Sequence, residues 1–260
     1  MANVDAVTLV VGLGEVGKPL YTILKKHDPE VTGVDIDPVS LEQHVGIMHV
    51  CFPFKTLDQF RREVAAYARK YNPEIIVVNS TVVPGTTRAI EEETGILSVN
   101  SPIRGKHTKM VDDLYLYVKF VAGTNAEATA RVQAQFLAAG LKSETLSTPE
   151  VLELAKLLET TYFGLLIAWA QEMNRFADAV NADYVELGKF FREISYLPPV
   201  LFQPGHIAGH CVMPNIGLLQ QRFQSEFLDA VKNSNEARKA ELAADGGERP
   251  GERLKPLALA

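Results

Sequence analysis

Apolar residues fall in short blocks over the first half of the chain and in one long helical stripe in the second. Residues 6–11 (AVTLVV) are an apolar run of strand length, and GLGEVG follows at once. A helical spacing over 16–25 leads to a second strand at 31–34, closed by Asp35. Further strands are predicted at 47–52, 75–79, 96–99 and 115–122, and helices at 57–71, 86–94 and 126–139. This alternation predicts an α/β domain over 1–148. From Pro149 to Asp183 the pattern changes. Leu154, Leu157, Leu158, Leu165, Leu166, Trp169, Met173, Phe176 and Val180 recur at helical spacing, with no internal proline after Pro149. Thr148 can cap this helix, and Pro149 suits its first position. About thirty residues span roughly 45 Å of helix. Its wide apolar face is expected to be buried between two bodies or against a second protomer. A shorter helix at 184–194, a proline- and glycine-rich loop at 197–215 and a helix at 215–233 complete a helical domain over 149–240, and 241–260 reads as a flexible tail.

Composition narrows the class. The 260 residues carry a net charge of −6, and no basic run marks a nucleic-acid surface. No apolar run is long enough to span a bilayer, because the long helix contains Lys156, Glu159, Gln171 and Glu172. The first residues enter a strand directly, so no leader is expected. Cys51 and Cys211 stand far apart without a CxxC pair, which fits free thiols in a reducing, cytoplasmic setting.

The glycine turn has the context its chemistry needs. Gly12, Leu13, Gly14, Glu15, Val16 and Gly17 lie between a strand and a helix. The glycines permit the turn and the approach of a pyrophosphate to the backbone, and the helix start faces it with unpaired amides. Asp35, at the end of the second strand, is placed to accept from a ribose 2′-hydroxyl and to repel a 2′-phosphate, so NAD is expected over NADP. Ser80 and Thr81 follow another strand, at the edge where open α/β sheets bind ligands. Lys156 interrupts the apolar stripe, read either as a snorkelling side chain or as a cation at a site. His206, His210 and Cys211 share one loop. Gly205, Gly209 and Pro204 argue against the helical spacing a metal pair would use, so no metal is expected.

GLGEVG, NSTVVPGTT, ELAKLLETTYFGLLIAWAQEMNRFAD and PGHIAGHCVMPN occur in the order of the UDP-glucose/GDP-mannose dehydrogenase family, which the chain resembles over residues 7–240. The resemblance implies a Rossmann-type doubly wound sheet followed by an all-helical dimerisation domain, 6-phosphogluconate-dehydrogenase-like. It covers the cofactor and central domains and lacks the C-terminal UDP-binding domain. It implies NAD-dependent oxidation of a sugar primary alcohol, and of the aldehyde that follows. Cys211 would be the nucleophile that traps the aldehyde, and Lys156 would stabilise the alkoxide. His210 precedes the cysteine as in the branch acting on N-acetylated sugars. Thr160 stands where the family has an asparagine, Ile103 where it has a glutamate and Asn215 where it has an aspartate. With those carboxylates missing, His206 or His210 is the candidate base. The same resemblance implies a homodimer through the long helix. Two other readings stay open. One is a β-hydroxyacid dehydrogenase, which uses the lysine and needs no cysteine. The other is a chain that binds NAD without chemistry, as a sensor or partner subunit.

Overall fold

Strands β1 (Val7–Val11), β2 (Thr32–Val34), β3 (Val45–Val50), β4 (Ile75–Val78), β5 (Leu97–Asn100), β6 (Lys119–Gly123) and β7 (Ser143–Thr145) form one sheet in the order β2-β1-β3-β4-β5-β6-β7. The computed structural model describes residues 6–36, 39–192, 201–244 and 256–257. All neighbouring strands run parallel except β5 and β6, which pair antiparallel. Period-two alternation sends successive residues to opposite faces. Val10, Ile47, Val77 and Val99 meet one set of helices, α1 (Gly17–His27), α4 (Met110–Leu116) and α5 (Ala126–Ala138). Leu9, Val11, Met48, Val50, Ile76 and Val78 meet the other set, α2 (Leu57–Tyr71) and α3 (Thr86–Thr94). Both faces are covered, which is why these strands read as unbroken apolar runs. The chain leaves β1 toward β2 on one side and reaches β3 on the other, so the strand order reverses between β1 and β3.

Local chemistry fixes several boundaries. The Thr56 hydroxyl accepts from the Gln59 amide to start α2, and Asn72, at φ 42°, ends it in the left-handed region. The Asn125 side chain caps α5 in the same way. Three predicted elements differ. The strand expected at 115–122 is a helix to Leu116 and a strand only from Lys119. The loop expected at 197–215 gives way to α8 (Val212–Gln220), and the helix expected at 215–233 is broken after α8 and resumes as α9 (Glu226–Ala244). Strand β7 was not expected, since Ser-Glu-Thr carries no apolar alternation.

The chain forms two units, residues 1–156 and 157–260, divided inside α6 (Pro149–Ala179). A shorter α7 (Tyr184–Arg192) follows α6; the predicted end of that helix at Ile194, residues 197–200 of the predicted loop and most of the predicted tail lie outside the described residues. The buried side of α6 beyond the division is Leu157, Thr161, Ile167, Ala170, Gln171 and Ala177. Much of the stripe expected to be buried instead faces solvent in the single chain: Leu158 is 49%, Trp169 51%, Phe176 59% and Val180 72% exposed. The buried side sets the large apolar Leu157 and Ile167 among the small Ala170 and Ala177 and the polar Thr161 and Gln171. Tyr184 stacks near Ala170, and the Tyr184 hydroxyl donates to the carbonyl of Phe202 at 2.6 Å.

Candidate active site

The turn after β1 is shaped by missing side chains. Gly12 has φ +88°, and a Cβ there would lie 2.9 Å from the Phe52 amide nitrogen. A Cβ on Gly17 would lie 1.7 Å from the carbonyl oxygen of Gly12, so only glycine lets α1 start this close to the turn. At Gly14 a Cβ would meet nothing within 4 Å. Steric need within the chain thus explains Gly12 and Gly17, while Gly14 opens onto space. The N-cap position of α1, Val16, offers no side-chain cap, and the first turn carries no acid. The Lys18 amide donates to the Gly14 carbonyl at 3.1 Å and Pro19 has no N–H, so what the helix start offers a phosphate is the positive end of its dipole. Glu15 is exposed and Leu13 half-buried along the same turn.

Beside this turn is a cavity of about 440 Å³ between Gly12, Asp35, Phe52, Lys55, Gln59 and Tyr67. Asp35 is exposed, and the Tyr67 hydroxyl donates to its backbone carbonyl at 3.4 Å. The cavity lies at the β1/β3 reversal, where α/β sheets take their ligands. Its residues fit a dinucleotide: room at Gly14 for the pyrophosphate, a carboxylate at the ribose side and aromatic walls. Lys55 was not read from sequence. It follows the Pro53 that ends β3's apolar run, and only the fold brings it near Asp35.

Ser80 and Thr81 follow β4 at the same edge. Ser80 is buried and donates to the carbonyl of Phe52 at 2.6 Å, which ties the β4 loop to the β3 loop; Thr81 is half-buried. Beneath them lies a polar layer that the sequence did not reveal. The Lys119 ammonium, 3% exposed as a residue, donates to Asn79 Oδ1 at 3.2 Å, to Ser101 Oγ at 2.7 Å, and to the carbonyls of Ser101 and Pro102. It also sits 5.0 Å from the centre of the Phe136 ring. Asn79 Nδ2 pairs with His49 Nδ1, His49 Nε2 with Gln135 Oε1, and Gln135 Nε2 with Thr8 Oγ1. Burial holds Lys119 down to about 7 and His49 down to about 4. The Cys51 thiol, buried in the same layer, is pushed up by burial to about 12, a packed thiol and not a nucleophile. Lys156, half-buried on α6, adds its positive charge to the lowering of Lys119.

In the second unit Cys211 is the N-cap residue of α8 and is exposed. Its sulfur thus stands at the positive end of a helix dipole. The loop before it is pinned: Gln171 donates to the Gly205 carbonyl at 2.8 Å, and Asn235 exchanges bonds with the backbone of Ile207 at 2.8 and 3.2 Å. His206 is half-buried and His210 exposed on this loop. One turn into α8, Asn215 Nδ2 donates to Thr160 Oγ1 at 2.8 Å, and the Thr160 hydroxyl donates to the Leu157 carbonyl at 3.0 Å. Two of the three positions that differ from the resembling family's pattern, Thr160 and Asn215, are therefore bonded to each other. Nearby, Gly164 lets α8 approach α6: a Cβ on it would lie 2.5 Å from Val212 Cγ1. Among the described residues, no group of three or more His, Cys, Asp or Glu is placed to hold a metal ion.

A mostly parallel sheet with helices on both faces, a glycine turn opening α1 and an acid after β2 make this a Rossmann-type α/β fold followed by a helical unit of the 6-phosphogluconate-dehydrogenase-like kind. Residues 150–237, from α6 into α9, match the model of the UDP-glucose/GDP-mannose dehydrogenase family, central domain. The UDP-N-acetyl-D-mannosamine dehydrogenase of Methanococcus maripaludis (strain S2) is 22% identical over 281 residues, covering 87% of this chain and 64% of the relative. The chain thus spans under two thirds of that relative's length. Among solved structures, the UDP-D-ManNAc dehydrogenase of Pyrococcus horikoshii superposes with a TM-score of 0.79 at 17% identity, over 92% of this chain and 70% of that one. The 3-hydroxyisobutyrate dehydrogenase of Mycobacterium tuberculosis gives 0.69 at 14% identity, over 93% and 94% of the two chains.

Proposed function

We propose that the chain is an NAD-dependent dehydrogenase that oxidises a primary alcohol of a sugar or nucleotide sugar, with Cys211 as covalent nucleophile. The observation that carries this reading is the match over 150–237, which contains both Lys156 and Cys211, in one chain with an open glycine turn. Gly12, Gly14, Gly17 and Asp35 would hold the cofactor, with Ser80 and Thr81 toward its reactive end. NAD bound there supplies the hydride acceptor. Lys156 stabilises negative charge on the substrate oxygen as its proton leaves. The Cys211 sulfur adds to the aldehyde carbon as the carbonyl oxygen takes up a proton, giving a thiohemiacetal. Thr160 and Asn215 are neutral and bonded to each other, so proton transfer beyond this stage falls to His206 or His210.

The test is NADH formation across nucleotide sugars, free sugars and small hydroxy acids, run beside Cys211→Ala and Lys156→Ala. Loss of turnover in both variants, with cofactor affinity kept, is the expected result. Turnover that survives Cys211→Ala selects a β-hydroxyacid-type reaction without a covalent step. That second reading is favoured by the hydroxyisobutyrate dehydrogenase likeness, which spans 94% of a chain of similar reach. NAD binding with no turnover on any substrate selects a non-catalytic role.

The exposed stripe of α6 supports a homodimer. Tyr162, Trp169 and Phe176 repeat every seven residues on one side of the helix, and each is at least half exposed. Sedimentation as a dimer at micromolar concentration is expected. No helix among the described residues is long and apolar enough to cross a membrane, and both cysteines are free, which supports placing the chain in the reducing cytoplasm.

A further inference from the structure

Glu153 takes no part in the chemistry above, yet it is among the most buried charged groups of the first unit, at 2% exposure. Its Oε2 accepts from the Gly85 amide at 2.6 Å. Its Oε1 accepts from the Thr87 amide at 2.8 Å and from the Thr87 hydroxyl at 2.7 Å. These donors open α3. The N-cap residue there is Gly85, at φ 94°, which has no side chain to cap with, and the first turn of α3 has no acid of its own. A carboxylate from α6, more than sixty residues on, fills the anion position of this helix start. Burial holds Glu153 up to about 6 against the downward pull of the Thr87 and Gly85 donors.

The two sides of this contact both lead to the proposed chemistry. Glu153 lies three residues before Lys156, on the neighbouring turn of α6. Gly85 and Thr87 end the segment that begins with Asn79, Ser80 and Thr81. The Lys156 charge contributes to the lowering of Lys119, and the Lys119 ammonium is bonded to Asn79 at the start of that segment. A second tie lies outside the first, where Arg88 of α3 donates to Glu150 of α6 at 2.7 and 3.3 Å.

We propose that Glu153 is a positioning residue that couples the Lys156 turn of α6 to the cofactor-facing segment 79–87. Occupancy of that segment then reaches Lys156 through one carboxylate bonded on both its oxygens. The inference rests on the reading of Lys156, Ser80 and Thr81 given above. Glutamine cannot replace it. Its amide has one oxygen, so its NH₂ must face either Gly85 N–H or the Thr87 donors, leaving a buried donor unpaired.

The test uses the whole chain, Glu153→Gln, and Thr87→Val as a milder break from the other side. Lys156 is followed by mass spectrometry under an amine-acylating reagent, with and without NAD, and NAD affinity is measured by calorimetry. In the native protein NAD should slow Lys156 acylation by about five-fold or more, the lower range of measured couplings. In Glu153→Gln the slowing should shrink below about two-fold while NAD affinity stays within about three-fold, with Thr87→Val between the two. Equal slowing in all three proteins overturns the coupling. If Glu153→Gln does not fold, Thr87→Val decides alone: native-like slowing overturns the proposal. If NAD binds none of them, the dehydrogenase reading falls, and Glu153 is judged on the cofactor-free rate. Faster Lys156 acylation in Glu153→Gln, by about three-fold or more, keeps the tie between α6 and α3, and an unchanged rate overturns it.

Discussion

The glycine turn after β1 and the polar layer around Lys119 belong to one unit, and they are built on opposite terms. Between Gly12 and Gly17 the chain removes side chains, so that backbone can approach backbone and, at Gly14, empty space. From Thr8 through the half-buried Gln135 to His49, Asn79 and Lys119, which are buried, it sets polar side chains in the interior and pairs each with another. A vacancy leaves a spacing of glycines in six residues of sequence. A satisfied network leaves no local mark, because its partners come from 30 to 127 residues away. The first kind of site can be read from a sequence; the second appears only when the strands are in register.

That contrast can be broken at three depths. Gly17→Ala should do most damage. Its Cβ would collide with the Gly12 carbonyl at 1.7 Å, and neither backbone can yield cheaply. A loss of about 3 kcal/mol or more, with no measurable NAD binding, is expected from urea unfolding and calorimetry. The next largest effect is acid. Unfolded, a histidine takes up its proton near pH 6.5; folded, His49 does so only near 4. The unfolded chain therefore binds more protons between those values. The stabilising difference is complete above about 6.5 and is lost as pH falls, reaching about 3 kcal/mol at pH 4. Glu153, held up to about 6, acts in the opposite direction over the upper part of this window. The contribution of His49 is therefore read as the difference in slope between the native chain and His49→Gln, which should be shallower. The smallest effect is the most selective. Gly14→Ala should leave stability within about 0.5 kcal/mol, since nothing lies near its Cβ, and should weaken NAD about ten-fold by standing where the pyrophosphate approaches.

The sequence disclosed those parts of the fold that local chemistry decides. Helices Leu57–Tyr71 and Thr86–Thr94 have the predicted ends, one set by Thr56 and Asn72, the other by Gly85 and Gly95. It misled where periodicity was ambiguous. Tyr115-Leu116-Tyr117 alternates like a strand, yet Met110 and Leu114 one turn apart bury a helical face that ends at Leu116. The stripe on α6 was legible as apolar but not as exposed, because composition does not say which of two apolar sides the same chain covers. Of the candidate site, the sequence nominates the glycine turn and Asp35 directly, and Lys156 and Cys211 through the family resemblance. Lys55, Lys119 and Glu153 could not. Each is a charged residue of ordinary surface type, and only the pairing of distant elements buries Lys119 and Glu153 and brings the exposed Lys55 to the cavity beside Asp35.

Gly164 has a consequence for how the proposed nucleophile could be moved. It sits on α6, far along the chain from Cys211, yet the space above its Cα is what Val212 occupies. Val212 is the first residue of α8 and is bonded covalently to Cys211. Side-chain volume at position 164 therefore sets the depth at which the start of α8 can settle, and with it the depth of the sulfur. Relatives or engineered variants can shift the thiol by a fraction of an ångström by exchanging one small residue for another there, without altering any group that takes part in bond making. The reach of the nucleophile is in this sense an adjustable dimension of helix packing, open to selection independently of the chemistry.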